Sequence, residues 1–521
     1  MNETSGNGQV NSRFIPDQLA KTLSETSNTL PDPHPLARTP LAFLSREVEL
    51  FRSRDGEPFI TVRMENHQDT WPLRAKAFKQ WLSWRFYKLT GEPISATTLK
   101  KFSDFLTAIA LFECDENPVF TRIAECDERL LYLDLYNDAR ESVEITTEGW
   151  RVISEPPVRF ARHPGMTALP YPERGGNLKE LRTYLNVNSD ADFMLLTSWV
   201  LAALRPTGPY PILVLQGEQD SAKSTITKVL RKLVDPHTTL LKRTIRDERD
   251  LFITANNQWV LALDNLSHLQ PWLSDALCTI STGGGYSTRK LYTDDDEISF
   301  NVTRPMILNG IEDIATRGDF IDRALILHLP SIAGADRRDE HLFWSDFTLA
   351  QPRIFGALLD AASAALRNLP SITLQDQDRP RMYDFAQWAC AAAPACNWTL
   401  TTAQGELTGA EAFIAAYLGN RSVANDTTLE ASAVAQAVLL LADKSPIWSG
   451  SATELMTVLR TVAGSGHGDK LPKAANTLSG ELRRLAPNLR KVGLRLEFTR
   501  QAGGKARMIT LRTEQCDTAR A

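Results

Sequence analysis

The sequence predicts a multidomain α/β protein: a parallel-sheet core, an α+β N-terminal unit, a helical segment and a small basic C-terminal domain. Three observations carry this. Between Pro209 and Pro330, β-rich apolar runs alternate with helix-spaced runs, as strands joined through crossover helices do. Before that stretch, short strand-like runs mix with two amphipathic ones. After it the chain turns helical and then basic. At 521 residues the chain has room for several domains, each of roughly 100–200 residues.

The expected organisation follows the chain. Residues 1–44 are rich in Ser, Thr, Asn, Pro and Gly and read as a disordered arm. Residues 45–170 form the α+β unit: a turn at Arg54–Glu57, helical spacing over Ala75–Tyr87 and Thr97–Phe112, then strands near Leu130–Leu135 and Val143–Thr146. A Pro/Gly-rich connector, Pro164–Gly176, leads into a largely helical stretch, Leu178–Leu204, and the core spans 177–335. Residues 336–425 are helical, and 426–521 read helix, Trp448, two helices and two strands around Gly503-Gly504.

Composition narrows the function classes. No run of 18 apolar residues exists, which excludes a membrane-spanning helix. The N-terminus lacks the pattern of a secretory signal, and six cysteines without C-x-x-C spacing point to a reducing cytoplasm rather than a zinc module. From Ser445 onward there are 13 Lys/Arg against 6 Asp/Glu, in a chain of net charge -5. A basic end on an acidic body suits a polyanion partner, and equally a solvated basic surface.

The chemistry concentrates at one place. The apolar run Ile212–Gln216 leads into Gly217-Glu218-Gln219-Asp220-Ser221-Ala222-Lys223-Ser224-Thr225 and an apolar-periodic helix. That is the strand, loop, helix context of a phosphate-binding loop. Backbone N–H groups at the helix start would face the phosphates of ATP, with Gly217, Ser221, Ala222 and Thr225 among the binding residues. Lys223 would reach the β- and γ-phosphates and Ser224 would hold Mg²⁺. Ala222 suits a helix start. Asp220 is a carboxylate in a loop meant for an anion: either the site is weakened or the side chain points outward.

Downstream, Trp259–Leu263 ends in Asp264, placed to order the metal beside Ser224. The next residue, Asn265, stands where a hydrolytic ATPase commonly has an acid, so Glu312 or Asp313 would have to serve, or hydrolysis is slow. A third run, Pro305–Leu308, ends in Asn309, an amide able to orient the attacking water. Arg317 and Arg323 read as arginine-finger candidates for a neighbouring subunit, or as local partners of Asp319 and Asp322. Gly283–Gly285 followed by Arg289 and Lys290 between Tyr286 and Tyr292 suits a basic hairpin on DNA, and equally a hinge loop.

This succession resembles a superfamily three helicase core. More closely, it resembles the ATP-binding, primase-helicase-like proteins of phages and integrative elements, whose loop takes the form G-x-x-G-S-A-K-S-T. Arg246–Leu251, Leu263–Leu266 and Leu308–Asp313 share the likeness, which spans about residues 45–511. It implies an AAA+-type ATPase acting as a ring, a hexamer among the options, on single-stranded or forked DNA. Any priming would come from a separate primase. The C-terminal order reads as a winged helix, with Arg483 and Arg484 on a basic helix and Lys505 and Arg507 in the wing for DNA, or as a protein-contact module. The expected function is thus an ATP-dependent helicase or translocase for replication of a phage or mobile element, with Lys223, Asp264, Asn309 and Arg323 catalytic. The alternatives are a nucleotide-gated DNA-binding regulator and a helicase loader with little hydrolysis of its own.

Overall fold

The computed structural model describes residues 48–513 except 66, 244, 290–296, 311–316, 376–379, 468–470 and 501–506. The described chain divides into two units. One runs to Tyr171 and includes Asp235–Thr238; the other holds Pro172–Val234 and the rest.

The first unit opens with an antiparallel meander, β1 (Val48–Arg52), β2 (Pro58–Arg63) and β3 (Gln68–Pro72). Alternation along β1 and β2 sends Val48, Leu50, Ile60 and Val62 to one face and Phe51 and Phe59 to the other. Two helices cover the first face: α1 (Lys76–Thr90) and α2 (Ala96–Phe112). Gly91, left-handed at φ 75°, ends α1 by donating to Tyr87 O, and the Ser95 side chain caps α2 by accepting from Thr98 N. The short β4 (Val119–Phe120) later pairs in parallel with β9 (Arg159–Phe160). Between them lies an antiparallel sheet of β5 (Ile123–Asp127), β6 (Leu130–Asp134), β7 (Ser142–Thr146) and β8 (Gly149–Ile153).

Arg122, fully buried, gathers that unit. Its guanidinium donates to Asp235 Oδ1 at 3.2 Å and to the carbonyls of Asp134, Thr167 and Pro236 at 3.1, 3.1 and 3.3 Å. Asp235 is itself 0% exposed, so the two charges are paired out of water.

The second unit begins with the short α3 (Lys179–Arg182) and α4 (Asp190–Ala203); Ser189 starts α4 by accepting from Asp192 N. Its centre is a four-stranded parallel sheet in the order β11 (Leu261–Leu266), β14 (Met306–Gly310), β10 (Ile212–Gln216), β15 (Ala324–His328). All of β10 and β14 is buried, as parallel strands covered on both faces require. Helices α5 (Lys223–Val234), α6 (Glu248–Asn257) and α7 (Pro271–Thr282) pack around it. A hairpin of β12 (Gly285–Arg289) and β13 (Glu297–Asn301) precedes β14, and α8 (Gly318–Ile321) precedes β15.

The helical segment follows as α9 (Glu340–Asn368), α10 (Tyr383–Cys396) and α11 (Gly409–Ala431). The connector crosses α9 so closely that a Cβ on Gly356 would lie 1.7 Å from Glu173 O. A small hairpin, β16 (Thr399–Thr402) and β17 (Gly405–Thr408), which the sequence pattern does not suggest, sits before α11. The C-terminal region is α12 (Ala433–Lys444), β18 (Ile447–Ser451), α13 (Ala452–His467), α14 (Ala475–Lys491), β19 (Leu494–Arg500) and β20 (Arg507–Thr513), with β20 in the middle of an antiparallel sheet.

Candidate functional site

The loop after β10 leaves the sheet at its C-terminal edge, where ligands bind in open α/β sheets. Gly217 starts it at φ 153°, and a Cβ there would lie 2.7 Å from Leu329 O and 2.8 Å from Ser221 Oγ. Only glycine fits that turn. Asp220 and Ala222 take left-handed φ values of 63° and 60°, after which α5 begins at Lys223.

Lys223 is folded back into the loop. Its Nζ donates to Gly217 O at 2.7 Å, Glu218 O at 2.5 Å and Ser221 Oγ at 2.9 Å. Burial lowers the ammonium's pKa below the ordinary lysine value, and the carboxylates of Asp264 and Asp220 oppose that shift. Carbonyl and hydroxyl oxygens of the loop itself hold the ammonium charge here.

Asp220 points outward. Its carboxylate pairs with Arg337 at 2.7 Å, with both side chains more than half exposed. The loop's negative charge is directed away from the loop and met by a guanidinium. The segment after β15 braces the loop further, since Ile332 N donates to Asp220 O at 3.0 Å and Ser331 Oγ to Glu218 Oε2 at 3.2 Å. Asn186 ties Ser221 O and Pro330 O together at 3.1 and 2.7 Å.

Across the loop, the ends of β11 and β14 meet the first turns of α5. Ser224 Oγ donates to Asp264 Oδ1 at 2.9 Å, and Asn309 Nδ2 donates to the same oxygen at 2.7 Å. Thr227, one helical turn beyond Ser224, donates to Asn309 Oδ1 at 2.9 Å. Asp264, Asn309 and Thr227 are buried, while Ser224 is partly open. Asn265 is exposed at φ 61°, in a bulge of β11, and its amide turns out of this chain. Thr227 and Arg337 escaped the sequence reading. The spacing of Thr227 from Ser224 on one helix offered a signal; Arg337 offered none.

Arg323 lies elsewhere. Its carbonyl accepts from Ile212 N at 2.9 Å, at the N-terminal edge of the sheet. Five-residue strands separate it from the loop by about 15 Å. Its Nη1 donates to Asp319 O at 2.6 Å, and Arg317 pairs with Asp275 at 2.7 Å. The structure therefore gathers Lys223, Ser224, Asp264 and Asn309 and leaves both arginines apart from them.

The basic residues assigned to DNA also disperse. Lys290 and Lys505, like Glu312 and Asp313, lie outside the described residues. Arg289 is the last residue of β12, paired in register with Glu297, and Arg507 starts β20 opposite Arg500. Tyr286 stacks on Phe252 at 4.5 Å and 10°, so it is a packing residue and not an exposed ring for bases. Arg483 lies over the Phe498 ring at 4.1 Å. With Arg484, Arg317 and Arg381 it lines a cleft of about 950 Å³ between α8, α11 and α14. The far end of α14 is held against protein: Asn488 Nδ2 donates to Asn425 Oδ1 at 2.9 Å, and Lys491 pairs with Asp322 at 2.8 Å.

Among the described residues no cluster of three or more His, Cys, Asp or Glu side chains could hold a metal ion by itself, and no helix is long and apolar enough to cross a membrane.

No curated protein matches the sequence. Among solved structures, the A-form apo structure of the NrS-1 C-terminal region aligns at a TM-score of 0.41 and 11% identity, over 93% of this chain and 100% of that one. A second apo structure of that region (305–718) aligns at 0.40 and 11%, over 92% and 99%. Residues 178–406 match the model of the actinomycete integrative conjugative element replication protein, and 434–520 match the model of the RepA C-terminal domain of those elements. The two matches follow one another in chain order and cover more than half of the sequence; the chain belongs to the replication proteins of actinomycete integrative conjugative elements.

Proposed function

We propose that this replication protein is an AAA+-type P-loop ATPase, a ring-forming helicase or translocase that acts on single-stranded or forked DNA of its element. The observation that carries the reading is the hydrogen-bonded chain Ser224–Asp264–Asn309–Thr227, in which Asp264 and Asn309 stand at the ends of the adjacent parallel strands β11 and β14 and Ser224 and Thr227 on α5 beside Lys223. Its donor set suits a hard cation: one hydroxyl and one carboxylate, with triphosphate oxygens and water completing the shell of Mg²⁺. When bound, that ion neutralises charge developing on the phosphates. Lys223 leaves its carbonyl partners for the β- and γ-phosphates. Asn309, aligned by Thr227, keeps an amide directed at the attacking water's position. Catalysis is then mostly positioning and charge stabilisation.

Arg323 is too far from its own loop to act there, so its role in hydrolysis requires a neighbouring subunit. The C-terminal region supplies a winged-helix-like DNA module whose arginines open into a cleft. The experiment is steady-state phosphate release with and without single-stranded DNA, beside Lys223→Ala. DNA-stimulated turnover that the substitution abolishes supports the motor. ATP binding without turnover above the Lys223→Ala background overturns it. That second outcome would favour a nucleotide-gated regulator or a loader of a separate helicase, the reading that Asn265 supports by placing an exposed amide after Asp264.

A further inference from the structure

The N-terminal unit carries a surface that ATP hydrolysis does not use. Helices α1 and α2 pack on the same face of the β1–β2–β3 sheet, through Phe78, Trp81 and Leu82 from one and Leu106, Ile109 and Ala110 from the other. Their opposite faces therefore look outward on one side of the layer. On α1 that face presents Gln80, Trp84, Tyr87 and Lys88 at helical spacing; on α2 it presents Lys101, Phe105, Ala108 and Phe112. These rings are open to solvent: Trp84 is 49% exposed, Tyr87 53% and Phe112 85%.

Charge runs with the aromatics. From Lys76 to Phe112 there are six Lys/Arg and two Asp/Glu, in a chain whose net charge is -5. Among the described residues no ion pair engages Lys79, Lys88, Lys100 or Lys101. An aliphatic protein surface would gain little from flat rings interleaved with lysines. Unpaired bases would stack on the rings while lysines meet their phosphates, and a duplex, with its bases already stacked, would use the lysines alone.

We propose that the outward face of α1 and α2 is a platform for single-stranded DNA. Bases stack on Trp84, Tyr87 and Phe112, and Lys88 and Lys101 neutralise the backbone. The platform works without nucleotide and independently of the site around Lys223.

The test is fluorescence anisotropy of a labelled oligothymidylate with the full chain in the absence of nucleotide, alongside basal ATP hydrolysis. Trp84→Ala with Phe112→Ala weakens binding by about tenfold, and Trp84→Phe restores most of it. Lys88→Gln and Lys101→Gln each reduce the salt slope by about 0.7. Binding to duplex of the same length and basal hydrolysis stay unchanged. The idea is overturned if the double alanine variant, with native circular dichroism, binds oligothymidylate as the parent does. It is equally overturned if that variant instead sediments as a smaller assembly, since the face would then be a contact between copies.

Discussion

Asn309 donates to Asp264 Oδ1 at 2.7 Å and accepts from Thr227 Oγ1 at 2.9 Å. A carboxylate can only accept, so the amide's orientation is set by its partners. Asp264 in turn holds Ser224, which makes two strand ends and the first turns of α5 one unit rather than separate side chains.

Replacing Asn309 by Ala leaves Thr227 and Asp264 each short of a buried partner. The expected loss of stability is about 1–3 kcal/mol, with nucleotide binding retained and turnover reduced by at least about a hundredfold. Thermal unfolding and single-turnover phosphate release measure the two effects separately.

Asp220 and Arg337 form an exposed pair, so breaking it shifts stability by less than about 1 kcal/mol. The effect on ligand is larger and differs in sign between the partners. Asp220→Gly keeps the left-handed turn, removes a negative charge from the loop and raises nucleotide affinity. Arg337→Ala leaves the carboxylate uncompensated and lowers it. Titration with a fluorescent nucleotide compares both variants with the parent.

The lowered pKa of Lys223 has a pH signature. Bound triphosphate favours the charged form, so nucleotide binding takes up a proton once the free protein has begun to lose it. Affinity therefore falls as pH rises through the window just below the ordinary lysine value of 10.5. The folding term has the opposite slope: in that window the unfolded chain holds more protons, and unliganded stability rises with pH. Calorimetric titrations in buffers of different ionisation enthalpy detect the uptake.

Arg323 at the far edge of the sheet predicts complementation between subunits. Arg323→Ala and Lys223→Ala are each inactive alone. Their mixture regains part of the turnover, because some interfaces then join an intact loop to an intact arginine. Mixed-subunit phosphate release checks this, and a mixture as inactive as its parents removes Arg323 from the mechanism.

Arg122→Ala removes an ion-pair partner of fully buried Asp235 and three further hydrogen bonds to carbonyls, of which that of Pro236 keeps Thr167 N. The expected cost is about 3–5 kcal/mol, confined to the N-terminal unit. Hydrogen exchange reads it as lost protection around β5 and β6, with α5 and β14 unaffected.

Local pattern carried much of this molecule. Apolar runs of strand length identified β10, β11 and β14, and their terminal residues gave the candidates Asp264 and Asn309. The loop residues Gly217 to Thr225 stood out between β10 and α5, because a turn into a helix has a short-range signature. The C-terminal succession of helices and strands was legible for the same reason. Period and turn chemistry are properties of neighbours along the chain.

Contacts between distant residues were a different matter. Arg337 stands 117 positions from Asp220, and Thr227 stands 82 from Asn309. No period or spacing ties such residues together. Tyr286 looked available for bases by composition, yet packing against Phe252 decided otherwise. The sequence by itself determined which residue types stand at the strand ends and in the loop. Tertiary structure alone decided which of them meet, that Asp220 turns outward, and that Arg323 lies at the opposite edge, because strand order and parallel register are set by long-range burial.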